Sequence, residues 1–499
     1  MKRGQSILLL TGAVSLLLCL LLLRFQSWYV DTFGNMDFST VLLTMMSPLQ
    51  GTSASFLETI LLMLLPMFLL GLAVGACLLF FARRMSVAWE LTVFRRSFRV
   101  SLPPVFAVVS LLCLFSAAAG FVQQLRIPKY LSQQSRAATL YEDHYVDPKT
   151  VDIAFPKEKK NLIYIFVESL ETTYADAENG GTQPVNYMPA LTALAEEHLY
   201  FSDSETLGGF VSPPGATLTV GALLAQTSGV PYALAAVANK MDSFEQYMPG
   251  LTALGDILDK AGYTQEFICG SDASFAGRRK YFSQHGNYRI FDLLTAREKG
   301  YIAPDYQVFW GYEDAKLFEI AKDELRSLAA AGQPFNCTLL TVDMHHVGGY
   351  VCESCGSDYE TPLANVVACN DRLITEFVAW VQAQDFYEDT VIVIAGDHPR
   401  MDTVLVGELE YYSRKVYNCF IQAAAIPQGK TAGRIFTAMD MFPTTLAALG
   451  ADIEGERLGL GTNLFSERQT LAEELGFKPF MELLSRPSNY YTAAFMGGG

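Results

Sequence analysis

Thr390-Val-Ile-Val-Ile-Ala-Gly-Asp-His-Pro-Arg400 is a run of apolar, mostly β-branched residues that stops on an acid and a histidine, Asp397 and His398. An apolar run of this length bounded by turn residues reads as a strand covered on both faces. Ligands of open α/β sheets bind beyond the carboxyl ends of such strands, so the pair falls where chemistry is usually placed. The plainer alternative is a helix cap beside a surface histidine. Two other stretches repeat the pattern. Asn161-Leu-Ile-Tyr-Ile-Phe-Val167 breaks off at Glu168-Ser169, and Cys337-Thr-Leu-Leu-Thr-Val342 runs into Asp343-Met-His345-His346. Helical patterns at 188–198, 250–261, 312–331 and 365–384 alternate with these runs. The alternation predicts an α/β fold with a mostly parallel central sheet and helices on both faces.

Three strand ends on one sheet edge bring Glu168, His345 or His346, and Asp397 with His398 toward one pocket. Carboxylates with an imidazole are ligands for one divalent cation, and an oxygen-rich set with a single histidine suits Mn²⁺ or Mg²⁺ better than a structural zinc. Such a site is short of a nucleophile. Pro213-Pro-Gly-Ala-Thr-Leu-Thr219-Val-Gly-Ala222 offers one, because Pro and Gly mark a turn ahead of a helical pattern. A threonine in the first turn of that helix has its oxygen beside unpaired amides and the positive end of the dipole. Thr217 and Thr219 both fit, and so does a plain capping role.

The chain has 499 residues, 51% of them hydrophobic and 18% charged, an apolar excess that points to a membrane portion. Apolar runs at 6–23, 56–81 and 102–122 each approach the roughly 20 residues needed to span a bilayer and predict a three-helix transmembrane domain over 1–124. The first run follows Lys2 and Arg3 as a signal peptide would. No small-residue cleavage site follows it, since Arg24-Phe-Gln-Ser-Trp-Tyr29 comes next, so a retained anchor is expected. Residues 82–101 carry Arg83, Arg84, Arg95, Arg96 and Arg99 against Glu90 and read as cytoplasmic. That places the remainder outside the cytoplasm, on a multi-pass protein of the inner or plasma membrane. It divides into a connector at 125–160, a catalytic domain at 161–480 and a C-terminal tail at 481–499. A net charge of −16 argues against a nucleic-acid partner. Cys352 and Cys355 form a lone C-x-x-C, which favours a local bridge over a zinc knuckle.

Several ordered blocks carry a family resemblance: Tyr141-Glu-Asp-His-Tyr-Val-Asp-Pro148, Asn161 to Glu171, Thr219 to Pro231, Phe275-Ala-Gly with His285-Gly286, Trp310-Gly-Tyr-Glu-Asp314, Leu340 to His346, Asn370-Asp-Arg-Leu373 and the stretch ending in Asp397-His398. Together they resemble the membrane-anchored phosphoglycerol transferases of the alkaline phosphatase and sulfatase superfamily, of the lipoteichoic acid synthase and periplasmic-glucan phosphoglycerol transferase type. The resemblance implies an extracytoplasmic sulfatase-like domain. It also implies transfer of glycerophosphate from phosphatidylglycerol to an envelope glycan or polyglycerolphosphate acceptor through a phosphothreonine.

By the same resemblance Glu168, Thr219, Asp397 and His398 hold the cation, Mn²⁺ first and Mg²⁺ or Zn²⁺ as alternatives, and Thr219 is the nucleophile. His345, or His346 in its place, contacts the phosphate or glycerol group, and a neutral imidazole there would protonate the leaving group. Arg278 holds the phosphate, and Phe275 and His285 are candidates for the substrate cleft. The chain departs from the teichoic-acid synthases at Cys269 and Ala276, which stand where that branch uses a histidine and a tryptophan. Phe309-Trp310 reads as core. Competing readings are a phosphoethanolamine transferase, a phosphodiesterase or phosphatase of the same superfamily, and a non-catalytic sensor or scaffold. Sulfatase chemistry would need a Cys/Ser-x-Pro-x-Arg block, and Ser212-Pro-Pro-Gly-Ala216 lacks the arginine.

Overall fold

The structure, a computed structural model, describes residues 3–34, 38, 54–84, 88–93, 96–232, 245–346, 348–407 and 409–497. Met1–Phe38 with Gly51–Tyr130 form one compact unit, and the second runs from Leu131 to the end. In the first unit Arg3–Phe33, Ala54–Arg84 and Leu102–Gln124 are helices. Among the described residues two stretches are long and apolar enough to cross a membrane, Gly4–Phe33 and Pro103–Gln124. The helix between them, Ala54–Arg84, carries a shorter apolar stretch, Leu61–Cys77. Leu10, Leu18, Leu112 and Phe115 point outward on these helices, the reverse of a water-facing helix, whose exposed side is polar. The arginine-bearing segment holds an antiparallel hairpin, β1 (Ala88–Val93) against β2 (Arg96–Ser101).

The second unit is built on a six-stranded sheet. A short strand β3 (Ile153–Ala154) pairs outside it with Asp452–Ile453. The sheet strands are β4 (Asn161–Val167), β5 (Thr264–Cys269), β6 (Arg289–Phe291), β7 (Phe335–Leu340), β8 (Thr390–Gly396) and β9 (Asn418–Ile421), in the order β6-β5-β7-β4-β8-β9. All neighbours are parallel except β8 with β9. The side-chain alternation of β4 explains its unbroken apolar sequence. Leu162, Tyr164 and Phe166 enter one core, and Ile163, Ile165 and Val167 enter the other. A strand buried on both faces has no position left for a polar side chain until it leaves the sheet, and the first residue that leaves β4 is Glu168.

The segment read as a connector and the C-terminal tail meet in this unit. The Ala138 amide donates to the Pro487 carbonyl at 2.9 Å, and the Tyr141 ring lies 5.5 Å from Tyr491 and 5.9 Å from Phe495.

Candidate active site and metal centre

Because β4, β7 and β8 are parallel neighbours, their C-terminal ends open on the same edge. Glu168 follows β4, Asp397 and His398 follow β8, and all three are buried. The helix Thr219–Ser228 brings its first residue to them. Gly215 makes the preceding turn at φ +85°, where a Cβ would collide with the Tyr232 carbonyl, so only glycine fits. Further along the helix, Gln226 accepts from the Tyr164 hydroxyl at 3.0 Å and donates to the Gly396 carbonyl at 2.9 Å, tying the helix to β4 and β8.

The Thr219 hydroxyl donates to Glu168 Oε2 at 3.1 Å and lies 3.5 Å from His398 Nε2. Ser169, held at φ +55°, donates its hydroxyl to Glu168 Oε1 and its amide to Asp397 Oδ1, each at 2.7 Å. The His398 amide also donates to Asp397 Oδ1, at 2.7 Å. That oxygen is satisfied twice over, whereas Oδ2 is buried without a hydrogen-bond partner. His398 Nδ1 lies 2.9 Å from the Pro399 carbonyl, so the ring proton sits there and the Nε2 lone pair faces the carboxylates, at 3.4 Å from Asp397 Oδ2 and 3.8 Å from Glu168 Oε1. An outer carbonyl fixing the tautomer is how metal-binding imidazoles are usually oriented.

One ligand atom each from Glu168, Asp397 and His398 lie within 4.8 Å of one another. Two buried carboxylates at this spacing are costly unless a cation or proton offsets them. Burial and the neighbouring Glu168 charge push Asp397 up to about 7. At Glu168 burial also opposes ionisation, but His345, His398 and the Ser169 and Thr219 hydroxyls outweigh it and hold the group below the ordinary glutamate value. The residues therefore fit a divalent cation: an unpartnered carboxylate oxygen, a second carboxylate, an oriented imidazole and a hydroxyl converge on one point.

His345 follows β7, the neighbour of β4 in the sheet, and lies near enough to Glu168 for that carboxylate to favour its protonated form. Burial lowers its pKa and keeps the ring neutral at pH 7. Its Nδ1 sits 2.6 Å from the His346 carbonyl, which leaves Nε2 as an acceptor. His346 stacks on it, with ring centroids 4.4 Å apart, and burial depresses its pKa further. Phe275 and Trp310 extend this row, Trp310 lying 4.6 Å from His345 and 5.4 Å from Phe275. Trp310 was expected in the core but is only half-buried; its role is visible only once the loop before residue 314 folds back over the end of β7.

Two candidates are placed elsewhere. His285 is buried with Nδ1 2.9 Å from Asp256 and Nε2 2.7 Å from the Tyr247 carbonyl, so both ring nitrogens serve packing. The substrate-cleft reading of His285 is not what this geometry favours, since neither ring nitrogen is left for a substrate. Arg278 donates to Ser271 Oγ, the Asp272 carbonyl and the Phe275 carbonyl at 2.8–3.1 Å; its guanidinium braces the loop that carries Phe275. Thr217 is buried at 2% exposure, and the hydroxyl that reaches Glu168 and His398 is that of Thr219.

The sequence profile of the sulfatase family matches residues 160–451. The chain belongs to the sulfatase family. Relatives of this sulfatase-family chain include phosphoglycerol transferase I of Xanthomonas axonopodis pv. citri, 33% identical over 346 residues, which are 66% of this chain and 48% of that protein. Phosphoglycerol transferase I of Salmonella choleraesuis is 33% identical over 340 residues, 66% of this chain and 42% of the relative. The chain thus spans about half, or less, of the length of these curated relatives. Among solved structures, the lipoteichoic acid synthase LtaP from Listeria monocytogenes superposes with a TM-score of 0.50 at 19% identity, covering 64% of this chain and 79% of that one. The lipooligosaccharide phosphoethanolamine transferase EptA from Neisseria meningitidis also gives 0.50, at 15% identity over 88% and 84% of the two chains. These two likenesses establish the fold.

In this sulfatase-family domain two buried devices hold the His345 loop, and neither carries a signal in local sequence. Arg400 is fully buried and grips Asp402 with Nε and Nη2, each at 2.6 Å, while Nη1 donates to the Met344 carbonyl. Arg400→Met leaves Asp402 buried and unpaired, and a loss of about 3–5 kcal/mol is expected, measurable as a lowered urea midpoint at unchanged slope.

The second device is reciprocal. Asp314 accepts from the Val342 and Asp343 amides at 2.7 and 2.9 Å, and Asp343 accepts from the Asp314 amide at 3.0 Å. Burial pushes Asp314 up to about 7; burial, with Asp314 beside it, pushes Asp343 up to about 10. Folded values above the unfolded value of about 3.9 mean that this stability is complete below about pH 4 and lost as pH rises through the folded values. Asp343→Asn removes one ionisation, so its Tm relative to the parent should rise between pH 5 and pH 8. A difference that stays flat across that range would exclude the pair as the cause.

Proposed function

We propose that this chain transfers glycerophosphate from phosphatidylglycerol to a hydroxyl of a cell-envelope glycan or polyglycerolphosphate acceptor, through a covalent phosphothreonine at Thr219. The observation that carries the reading is the Thr219 hydroxyl at a helix N-terminus, in reach of both Glu168 and His398. The similarity to phosphoglycerol transferase I supports the substrate class.

In the first half-reaction Thr219 Oγ1 attacks phosphorus and its proton leaves toward Glu168. The bond from phosphorus to the diacylglycerol oxygen breaks, and that oxygen takes up a proton relayed from solvent by His345 Nε2. In the second half-reaction the acceptor hydroxyl attacks the phosphothreonine and passes its proton to His345 Nε2, the bond from phosphorus to Thr219 Oγ1 breaks, and Thr219 Oγ1 takes its proton back from Glu168. Because Nε2 presents a lone pair, His345 can take the acceptor's proton as well as pass one to the leaving oxygen. Glu168, Thr219, Asp397 and His398 would hold a divalent cation, Mn²⁺ ahead of Mg²⁺ or Zn²⁺, which when bound lowers the Thr219 pKa and offsets charge on the phosphate oxygens. The half-exposed wall of Phe275, Trp310 and His345 suits a small polyol head group, with Arg278 bracing it. The apolar N-terminal helices fit a protein of the inner or plasma membrane with its catalytic unit on the outer side, where they would keep the enzyme in the layer that contains its donor.

The test is peptide mass spectrometry of the full chain in detergent after incubation with phosphatidylglycerol and Mn²⁺. A glycerophosphate adduct on Thr219 is the expected result. An adduct formed only with phosphatidylethanolamine would transfer the protein to the phosphoethanolamine transferases. No adduct from either lipid would overturn the covalent mechanism.

A further inference from the structure

Outside the active site three sulfurs meet. Cys352 and Cys355 come from the turn Cys352-Glu-Ser-Cys355, and Cys369 comes from the helix Pro362–Gln382. Cys352 Sγ lies 3.5 Å from Cys355 Sγ and 3.9 Å from Cys369 Sγ, and all three fall within 4.8 Å of one another. The cysteines are free thiols, so the C-x-x-C pair is neither lone nor bridged. The two shorter spacings are far from the roughly 2.05 Å of an S–S bond. They match the edge of about 3.8 Å that a tetrahedron of sulfurs has around zinc, given a Zn–S distance of about 2.3 Å.

A tight turn and one cation surround the sulfurs. The Cys355 amide donates to the Cys352 carbonyl at 3.0 Å to close the turn. Arg372 stands one turn after Cys369, its Nη2 3.8 Å from Cys369 Sγ and 2.8 Å from the Ser354 carbonyl. This guanidinium bridges helix and turn beside the cluster and also pairs with Glu376 at 3.2 Å. Cys352 and Cys369 are buried and Cys355 is half-buried, so the cluster is open on one side only.

We propose that Cys352, Cys355 and Cys369 bind one zinc ion as a second, structural metal site, with its fourth position open to solvent beside Cys355. Binding displaces the three thiol protons. The site pins the loop between β7 and the helix Pro362–Gln382. The same loop presents His345, and its near end is held by the Tyr350 amide on the Asp343 carbonyl at 2.7 Å. A disulfide would need an oxidant and would strand the third thiol, whereas a cation uses all three.

The experiment measures zinc in the full chain, purified in detergent without chelator. In the double variant Glu168→Gln with Asp397→Asn, which disables the other site, about one zinc per chain is expected to remain. Adding Cys352→Ser or Cys369→Ser should remove it, and adding Cys113→Ser, an exposed position in the first unit, should not. Should the serine variants fail to fold, cobalt exchanged into the double variant reads the site directly. Thiolate-to-cobalt charge-transfer bands in the near ultraviolet support it. Absence of zinc with ready alkylation of all three cysteines in the native protein, or a Cys352–Cys355 or Cys352–Cys369 disulfide in peptide maps, would overturn the proposal.

Discussion

Thr219→Ala is expected to reduce glycerophosphate transfer by about 10⁴-fold or more, the scale on which removing a covalent nucleophile acts, while the protein stays folded. The substitution removes one oxygen at a half-buried position whose hydrogen bond to Glu168 is 3.1 Å, and alanine is a good residue for the first turn of a helix. Glu168, Asp397 and His398 remain, so Mn²⁺ should still raise the melting temperature, by less than in the parent. The neighbouring Thr217→Ser, which keeps the hydroxyl at a buried position, should leave transfer within a few-fold. If Thr219→Ala retained near-parental turnover, the nucleophile would be water or another hydroxyl, and the covalent route would be lost with it.

Asp397→Asn should separate a metal ligand from a structural carboxylate. Asp397 Oδ1 takes two amide hydrogen bonds, and an asparagine oxygen can take both. The change falls on Oδ2, which has no hydrogen-bond partner and would become an amide directed into the proposed cation site. Metal affinity is expected to drop by at least about 100-fold, the upper end of what loss of an outer-sphere partner causes, and transfer should fall with it. Stability without metal should move the other way. The folded pKa of about 7 exceeds the unfolded value of about 3.9, so ionised Asp397 destabilises the metal-free fold increasingly from about pH 4 up to pH 7. The variant without metal should therefore melt at or above the parent at pH 8, and its melting temperature should not respond to Mn²⁺. A variant that melts lower with no metal present would assign Asp397 a packing role instead.

Much of the site could be read before folding because it is written at the ends of buried strands. A strand covered on both faces admits no polar side chain, so the first acid or histidine after β4 or β8 stands out against the apolar run, and parallel pairing sends those ends to one edge. Glu168, Asp397 and His398 were legible for that reason, as was a threonine at the start of a Gly- and Pro-marked helix. Spacing alone left Thr217 and Thr219 both open and the family resemblance pointed to Thr219, which is the one that contacts Glu168 and His398.

Residues whose partners are remote in sequence carried no local mark. Trp310 joins His345, Arg400 joins Met344, and His285 turns inward to Asp256 and Tyr247. Cys369 completes a cluster whose first two members had read as a closed pair. By itself the sequence determined the α/β class, the apolar N-terminal helices and the chemistry available at each strand end, since burial and pairing act on neighbouring residues. The tertiary structure decided which groups meet, which oxygen is left unpartnered and which ring nitrogen faces the site, because those depend on segments brought together only when both cores close around the sheet.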